Sequence, residues 1–195
     1  MAGQLSSRNL FLTALEAGSM IMLNAFALLG NILVCIAVYR NTRLRTTTNL
    51  YIIALAVSDL LSAIFVMPFS AGALIAGRWP FGKKVCEMSG YFTAFVVCVS
   101  PVTMGLTAIN RFTRICKSDQ QYKRFFSQRK SRILLASAWV FVALHFILMT
   151  FITGLQEFRF VPGYALCLNV HLNKVGTSIH YVVVLCLLFV RNHSY

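Results

Sequence analysis

The chain has 195 residues, 58% of them hydrophobic and only 12% charged, whereas soluble domains carry about a quarter charged residues. A net charge of +13 invites a nucleic-acid reading, but the cations sit in short loops between long apolar runs, which leave no soluble surface to gather them. Composition excludes an ordinary soluble domain and leaves an all-α membrane protein, a bundle of transmembrane helices.

Residues 1–14 form a short polar lead with one cation, Arg8. The first apolar run, 17–39, is too long for the h-region of a cleaved signal and reads as a retained signal anchor. It carries Gly30-Asn31 at mid-span, and a buried amide persists in lipid when it bonds to another helix. A basic loop, 39–45, leads to the second run, 49–75. That run holds Asp59 within Leu55-Ala56-Val57-Ser58-Asp59-Leu60, the one acid at membrane depth. A carboxylate there is costly and marks a functional site, unless it is a protonated acid bonded to Asn31. Pro68 is expected to kink the outer half of this helix. Trp79, in the turn Gly77-Arg78-Trp79-Pro80-Phe81-Gly82, reads as an interfacial anchor.

The third helix is expected over 86–115. Cys86 stands at its outer end, and the uncharged run 91–109 is long enough to cross a hydrocarbon layer of about 30 Å. Asn110-Arg111-Phe112 closes the run, and a basic loop follows as far as Arg132. The fourth helix, 133–152, has Trp139 after the small residues Ala136, Ser137 and Ala138, which permit close helix contact. Its His145 reads as a packing residue before a ligand contact. Neither His171 nor His180 has metal-type spacing with it, so no metal site is expected. The loop 154–174 contains Cys167, and a fifth run, 175–190, is shorter than a usual span. Cys35, Cys98 and Cys186 read as buried hydrophobes, and Cys116 lies at a surface where palmitoylation is open. Asn192-His193-Ser194 is a glycosylation sequon. No phosphate loop, nucleophile elbow or metalloprotease helix is present, so no enzyme is expected.

Residues 40–45 hold three Lys and Arg and residues 111–132 hold eight, against six in the alternate segments: Arg8, Arg78, Lys83, Lys84, Arg159 and Lys174. Eleven against six puts the basic loops inside and the N-terminus outside. Cys86 and Cys167 then share the oxidising side, where a bond closing about 80 residues would stabilise by roughly 3–5 kcal/mol.

Taken in order, Gly30-Asn31, the Asp59 hexad, Trp79 with Phe81-Gly82, Cys86, Asn110-Arg111-Phe112, Trp139 and Cys167 resemble the motifs of rhodopsin-like (class A) G-protein-coupled receptors, over helices 1 to 4 and much of 5. Within that family, Val38-Tyr39-Arg40-Asn41 with Leu44-Arg45, Ser89-Gly90, Ala108-Ile109-Asn110-Arg111 and Leu155-Gln156 look like the melatonin receptors. Phe112 departs from their tyrosine, Met149 from their helix-4 asparagine and Asn169 from their loop phenylalanine, so the likeness does not fix melatonin as the ligand.

The resemblance implies a Cys86–Cys167 disulfide and G-protein coupling through Asn110, Arg111 and Phe112. It implies an intramembrane polar network of Asn31 and Asp59, with sodium or water near Asp59 in a complete receptor, and otherwise no cofactor. Thr93, Gln156 and Asn169 fall at ligand positions. Aminergic receptors carry an aspartate where this chain has Thr93; helix 3 reads as free of acids, and an amine ligand is not expected. The implied partners are a heterotrimeric G protein, a small-molecule ligand, membrane lipid and a second receptor in a dimer, at the plasma membrane.

The chain diverges near Arg191, where the family's helix-5 proline falls, and is expected to be a receptor truncated there: a partial gene model, a splice form or a retained-intron product. The expected function is transduction of an extracellular small-molecule signal to a G protein. The alternative is a non-signalling truncated form, retained in the endoplasmic reticulum, that partners or regulates full-length receptors. An ion-conducting or transporter fragment would rest on Asp59 alone, without inverted repeats to support it.

Overall fold

The computed structural model describes residues 9–148 and 156–171. Helix α1 (Leu10–Arg40) opens on Asn9, whose side chain accepts a hydrogen bond from the Phe11 N–H. It starts seven residues before the expected boundary, because that cap and the apolar Leu10, Phe11 and Leu12 allow one more membrane-compatible stretch. A 3-10 turn, Thr42–Leu44, leads to α2 (Thr47–Phe65), capped by Thr46. The second run then breaks at Val66, and α3 (Met67–Ala76) continues it with Pro68 in its first turn. That is the expected kink: proline has no N–H for the preceding turn and is tolerated where a new helix begins.

Helix α4 (Gly82–Cys116) is the longest element and the centre of the bundle, packed by α2, by α6 (Gln128–Ile147) and by the outer hairpin. Phe95, Val99, Val102, Leu106 and Asn110 recur every three or four residues along it and are all buried, as one face of a helix requires. Pro101 lies inside α4, where it removes one backbone donor. The hydroxyls of Thr103 and Thr107 bond back to carbonyls one turn earlier, to Val99 and Thr103. Such local satisfaction is what makes polar residues tolerable at membrane depth.

Two apolar clusters fill the bundle. One, toward the Arg-rich end, joins Tyr51, Leu106, Phe126 and Leu135; the other joins Val99, Val142, Phe146 and Phe158. Most of α1 is exposed, Leu10 to 83% and Phe26 to 65%, as suits a surface facing hydrocarbon. Among the described residues, four segments are long and apolar enough to cross a membrane: Leu10–Arg40, Thr47–Ala76, Gly82–Cys116 and Asp119–Ile147.

The expected helical bundle is present, with two additions. A short helix, α5 (Asp119–Phe125), stands in the basic loop behind a capping box of Ser118 and Gln121. Beyond α6, β1 (Gln156–Val161) and β2 (Leu166–His171) form an antiparallel hairpin, so the fold is not wholly α. Its turn sets Ala165 at φ 50°, a left-handed conformation that usually falls to glycine or asparagine. The expected residues 149–152 of helix 4, the run 175–190, Met149, Cys186 and Asn192 lie outside the described residues.

The Cys86–Cys167 disulfide ties the hairpin to the outer end of α4, with the two Cα atoms 5.4 Å apart and Cys167 fully buried. Beside it the Phe158 ring lies against Gly90, on α4, where a Cβ would come within 2.6 Å of the ring. Gly90 is thus required by a close approach rather than by its backbone angles. Gly90→Ala should lower unfolding stability by about 1–3 kcal/mol, the usual cost of overpacking, while Gly18→Ala, with open space around it, should not. Thermal unfolding of the two detergent-solubilised variants checks this; equal melting temperatures would show that the hairpin does not depend on the slot.

Candidate functional site

The Arg-rich end of α4 carries the most organised polar group. Asn110 is fully buried there. Its Oδ1 accepts from the Thr48 hydroxyl on α2 at 3.0 Å, and its Nδ2 donates to the Tyr122 hydroxyl on α5 at 3.1 Å. One amide therefore joins three elements. Tyr122 is itself held on three sides: it stacks on Phe126, lies under the Arg114 guanidinium at 4.9 Å and gives Asn110 its acceptor. Arg114 also pairs with Asp119 at 2.7 Å, though both side chains are exposed and the pair adds little by itself.

Arg111, one residue on, behaves differently. It is exposed, and among the described residues its guanidinium makes no hydrogen bond or ion pair. Phe112 is 54% exposed beside it. The three expected coupling residues thus divide into one buried tie and two free side chains at the tip of the central helix.

At mid-span the two expected network residues are not joined. The half-buried Asn31 donates to the Ala27 carbonyl of its own helix at 2.8 Å, and Asp59 is exposed with no hydrogen bond among the described residues. A helical amide reaches its own i−4 carbonyl without any inter-helix approach, which accounts for the missing bond. Next to Asp59 in sequence, Ser58 accepts from Ser100 of α4 at 3.3 Å and donates to Leu55 O. The carboxylate and this hydroxyl pair are oxygen donors, the type that suits a hard cation such as sodium. Deeper in the outer cluster the Trp139 indole N–H donates to Thr103 at 3.3 Å, and Phe95 meets its ring edge-on.

The expected ligand residues lie at the outer end. Thr93 is half-buried, its hydroxyl bonded to Ser89 O at 2.8 Å. Asn169 is paired in register with Phe158 and Gln156 with His171. Phe158 and Cys167, the latter paired with Phe160, are buried against α4, so Asn169 shares the hairpin face turned toward it. Trp79 is half-buried, donates to Gly82 O and packs on Phe81 and Phe160, so it braces the outer turn as well as marking it.

One expectation needs correction: α4 is not free of acids. It starts at Gly82 rather than at Cys86 and includes Glu87, paired with Lys83 at 3.7 Å one turn away. Glu87 lies six residues from Thr93, about 120° around the helix, so it does not replace a carboxylate there. On the hairpin, the Arg159 guanidinium donates to Glu157 and holds its carboxyl below the usual carboxylate range.

The family profile described as 7 transmembrane receptor (rhodopsin family) matches residues 30–192. The chain belongs to that family. The receptor chain is 40% identical over 124 residues to the D(1B) dopamine receptor of Xenopus laevis, covering 63% of the chain and 27% of that relative. It is 34% identical over 149 residues to melatonin receptor type 1B-B of Danio rerio, covering 76% of the chain and 42% of the relative. It is 33% identical over 121 residues to the high-affinity lysophosphatidic acid receptor of Xenopus laevis, 62% and 32% of the two lengths. The chain spans between about a quarter and two-fifths of the length of these curated relatives. They are receptors rather than enzymes, and the chain is a multi-pass membrane protein.

Sequence reasoning missed Thr48, Tyr122 and Pro101 in this receptor chain. The capping-box pattern from Ser118 to Gln121 would have exposed α5 and with it Tyr122. Removing the Tyr122 hydroxyl leaves a buried amide donor without its partner, so Tyr122→Phe should destabilise by about 1–3 kcal/mol. Unfolding in mixed micelles would measure it, and a variant as stable as the parent would show that the hydroxyl does not hold Asn110.

Proposed function

We propose that this chain supplies the first helices of a plasma-membrane receptor that passes an extracellular small-molecule signal to a heterotrimeric G protein, with its N-terminus outside. The observation that carries the reading is the contrast at the end of α4: Asn110 is buried and doubly bonded, while Arg111 beside it is exposed and has no partner among the described residues. A guanidinium offers five donors in a planar fork, well suited to a protein partner's carbonyls or carboxylates. Eleven cations and one acid, Asp119, occupy residues 40–45 and 111–132, consistent with a cytoplasmic placement of that end.

For the ligand, we favour a melatonin-like, non-amine small molecule held from Thr93, Gln156 and Asn169. Relatives named for dopamine and for melatonin stand at similar identity, so the choice rests on chemistry. A desolvated ammonium needs a carboxylate. From Met88 to Cys116, α4 has none, and Glu87 and Glu157 are already paired with Lys83 and Arg159. The match to the Danio rerio melatonin receptor also runs over 149 residues, against 124 for the dopamine receptor.

In this reading Arg111 makes the contact with the G protein. In a chimera that continues the chain with the remaining helices of a melatonin receptor, Arg111→Ala should reduce ligand-stimulated nucleotide exchange at least tenfold at equal surface expression. Unchanged exchange would refute the role.

Asp59 would hold a sodium ion or ordered water in the same intact receptor, with Asn31 as a more distant member of the network. A carboxylate at membrane depth is stable only with a counter-charge, a proton or water. Asp59→Asn in the chimera should abolish any effect of sodium against potassium on agonist affinity. Sodium sensitivity that survives the substitution would make the carboxylate purely structural.

A further inference from the structure

A cavity of about 210 Å³ opens at the Arg-rich end between α1, α2 and α6, and neither Arg111 nor any of the outer ligand positions lines it. Arg45 and Arg132 line it with the polar Thr46 and Gln128, and Val38, Leu50 and Ile53 give it an apolar wall. Both guanidinium groups belong to exposed residues, and neither has a carboxylate partner among the described residues. Each spends one donor on backbone: Arg45 Nη2 on Tyr39 O at 2.6 Å, and Arg132 Nε on Gln128 O at 3.3 Å. The other N–H groups of both remain to bind an anion.

The frame around them is already built. Gln128 Nε2 donates to Arg45 O at 2.6 Å, tying the start of α6 to the α1–α2 loop across the cavity. Asn49 Nδ2 donates to Leu44 O at 2.8 Å and fixes the same loop from α2. A pair of arginines held this way is preorganised, which lowers the ordering cost of binding. Paired guanidinium groups suit phosphate, whose oxygens accept two parallel N–H bonds from each.

We infer that this cavity binds an anionic phospholipid, its phosphate between Arg45 and Arg132 and the start of an acyl chain along Val38, Leu50 and Ile53. The apolar wall decides for lipid over a soluble phosphate: Leu50 and Ile53 are one turn apart on α2 and lead from the cations toward the middle of the span. A soluble anion would have no use for that wall, whereas an amphiphile fills both parts. The inference concerns a different surface from the signalling site and needs no statement about which G protein or ligand is used.

The full chain, reconstituted in phosphatidylcholine nanodiscs doped with a phosphatidylinositol 4-phosphate that carries a photoreactive acyl chain, tests this by mapping the labelled peptides. Label is expected on the peptides containing Val38 and Leu50–Ile53, and Arg45→Gln with Arg132→Gln should cut it about fivefold or more. Lys123→Gln with Arg124→Gln removes the same charge outside the cavity and should leave labelling within about twofold; an equal fall would mean diffuse attraction and would overturn the site. Arg45→Lys with Arg132→Lys keeps the charge and should retain most of the label. If the Gln pair does not fold, Arg132→Gln alone, at the exposed start of α6, should lower labelling about threefold, and no change would overturn the proposal. Suppression of labelling by soluble inositol 1,4-bisphosphate would assign the cavity to free phosphate and overturn the lipid.

Discussion

The Cys86–Cys167 bond fixes two points 81 residues apart in sequence, and everything between them must fit inside that closed loop. The loop contains nearly all of α4, then α5, α6 and β1. Closing so long a segment removes a large share of the unfolded chain's freedom. It also decides where the hairpin goes. Once Cys167 is tethered to the first turns of α4, the face bearing Phe158 and Cys167 can bury only against that helix, and Gly90 leaves the room for it. The outer surface is therefore built downward from one covalent bond, with Trp79, Phe81 and Phe160 closing the turn beside it.

The opposite end of α4 is fixed by hydrogen bonds instead, and there the elements are shorter and more polar. Seven residues of α5 bury little by themselves; their position depends on Tyr122 and Phe126 packing with Tyr51, Leu106 and Leu135. The Asn110 amide adds direction to that packing. Apolar contacts tolerate rotation of a short helix about its axis, whereas the 3.1 Å bond to Tyr122 tolerates little. The central helix is thus held covalently at one end and by a directional polar tie at the other, with close-packed side chains between.

Much of this was legible from the sequence because lipid simplifies the problem. Apolar length marked the four spans, and the Pro68 kink followed from a missing donor. The Cys86–Cys167 pair was legible through a family resemblance. The hairpin was not, since β1 and β2 are short and irregular in pattern and owe their pairing to the tether and to α4 below. Boundaries also slipped. Cys86 looked like the start of a helix that begins at Gly82. Glu87 lies inside either boundary, and reading that helix as free of acids overlooked it. Asn31 and Asp59 were joined on the strength of being the polar residues at mid-span, but one-dimensional spacing does not say whether an amide turns to a neighbour or to its own helix.

The choice of an amide at position 110 has a consequence for the residue after it. A carboxylate there would accept from both hydroxyls, Thr48 and Tyr122, and its charge would also draw in the adjacent guanidinium. The tie between helices and the restraint on the arginine would then be one interaction, lost together on protonation. An amide separates them. Asn110 keeps α2, α4 and α5 in register through an uncharged amide, and it offers Arg111 no charge to hold it. The exposed guanidinium is what an amide at this position should produce: the mooring of the central helix does not depend on whether the adjacent Arg111 is free.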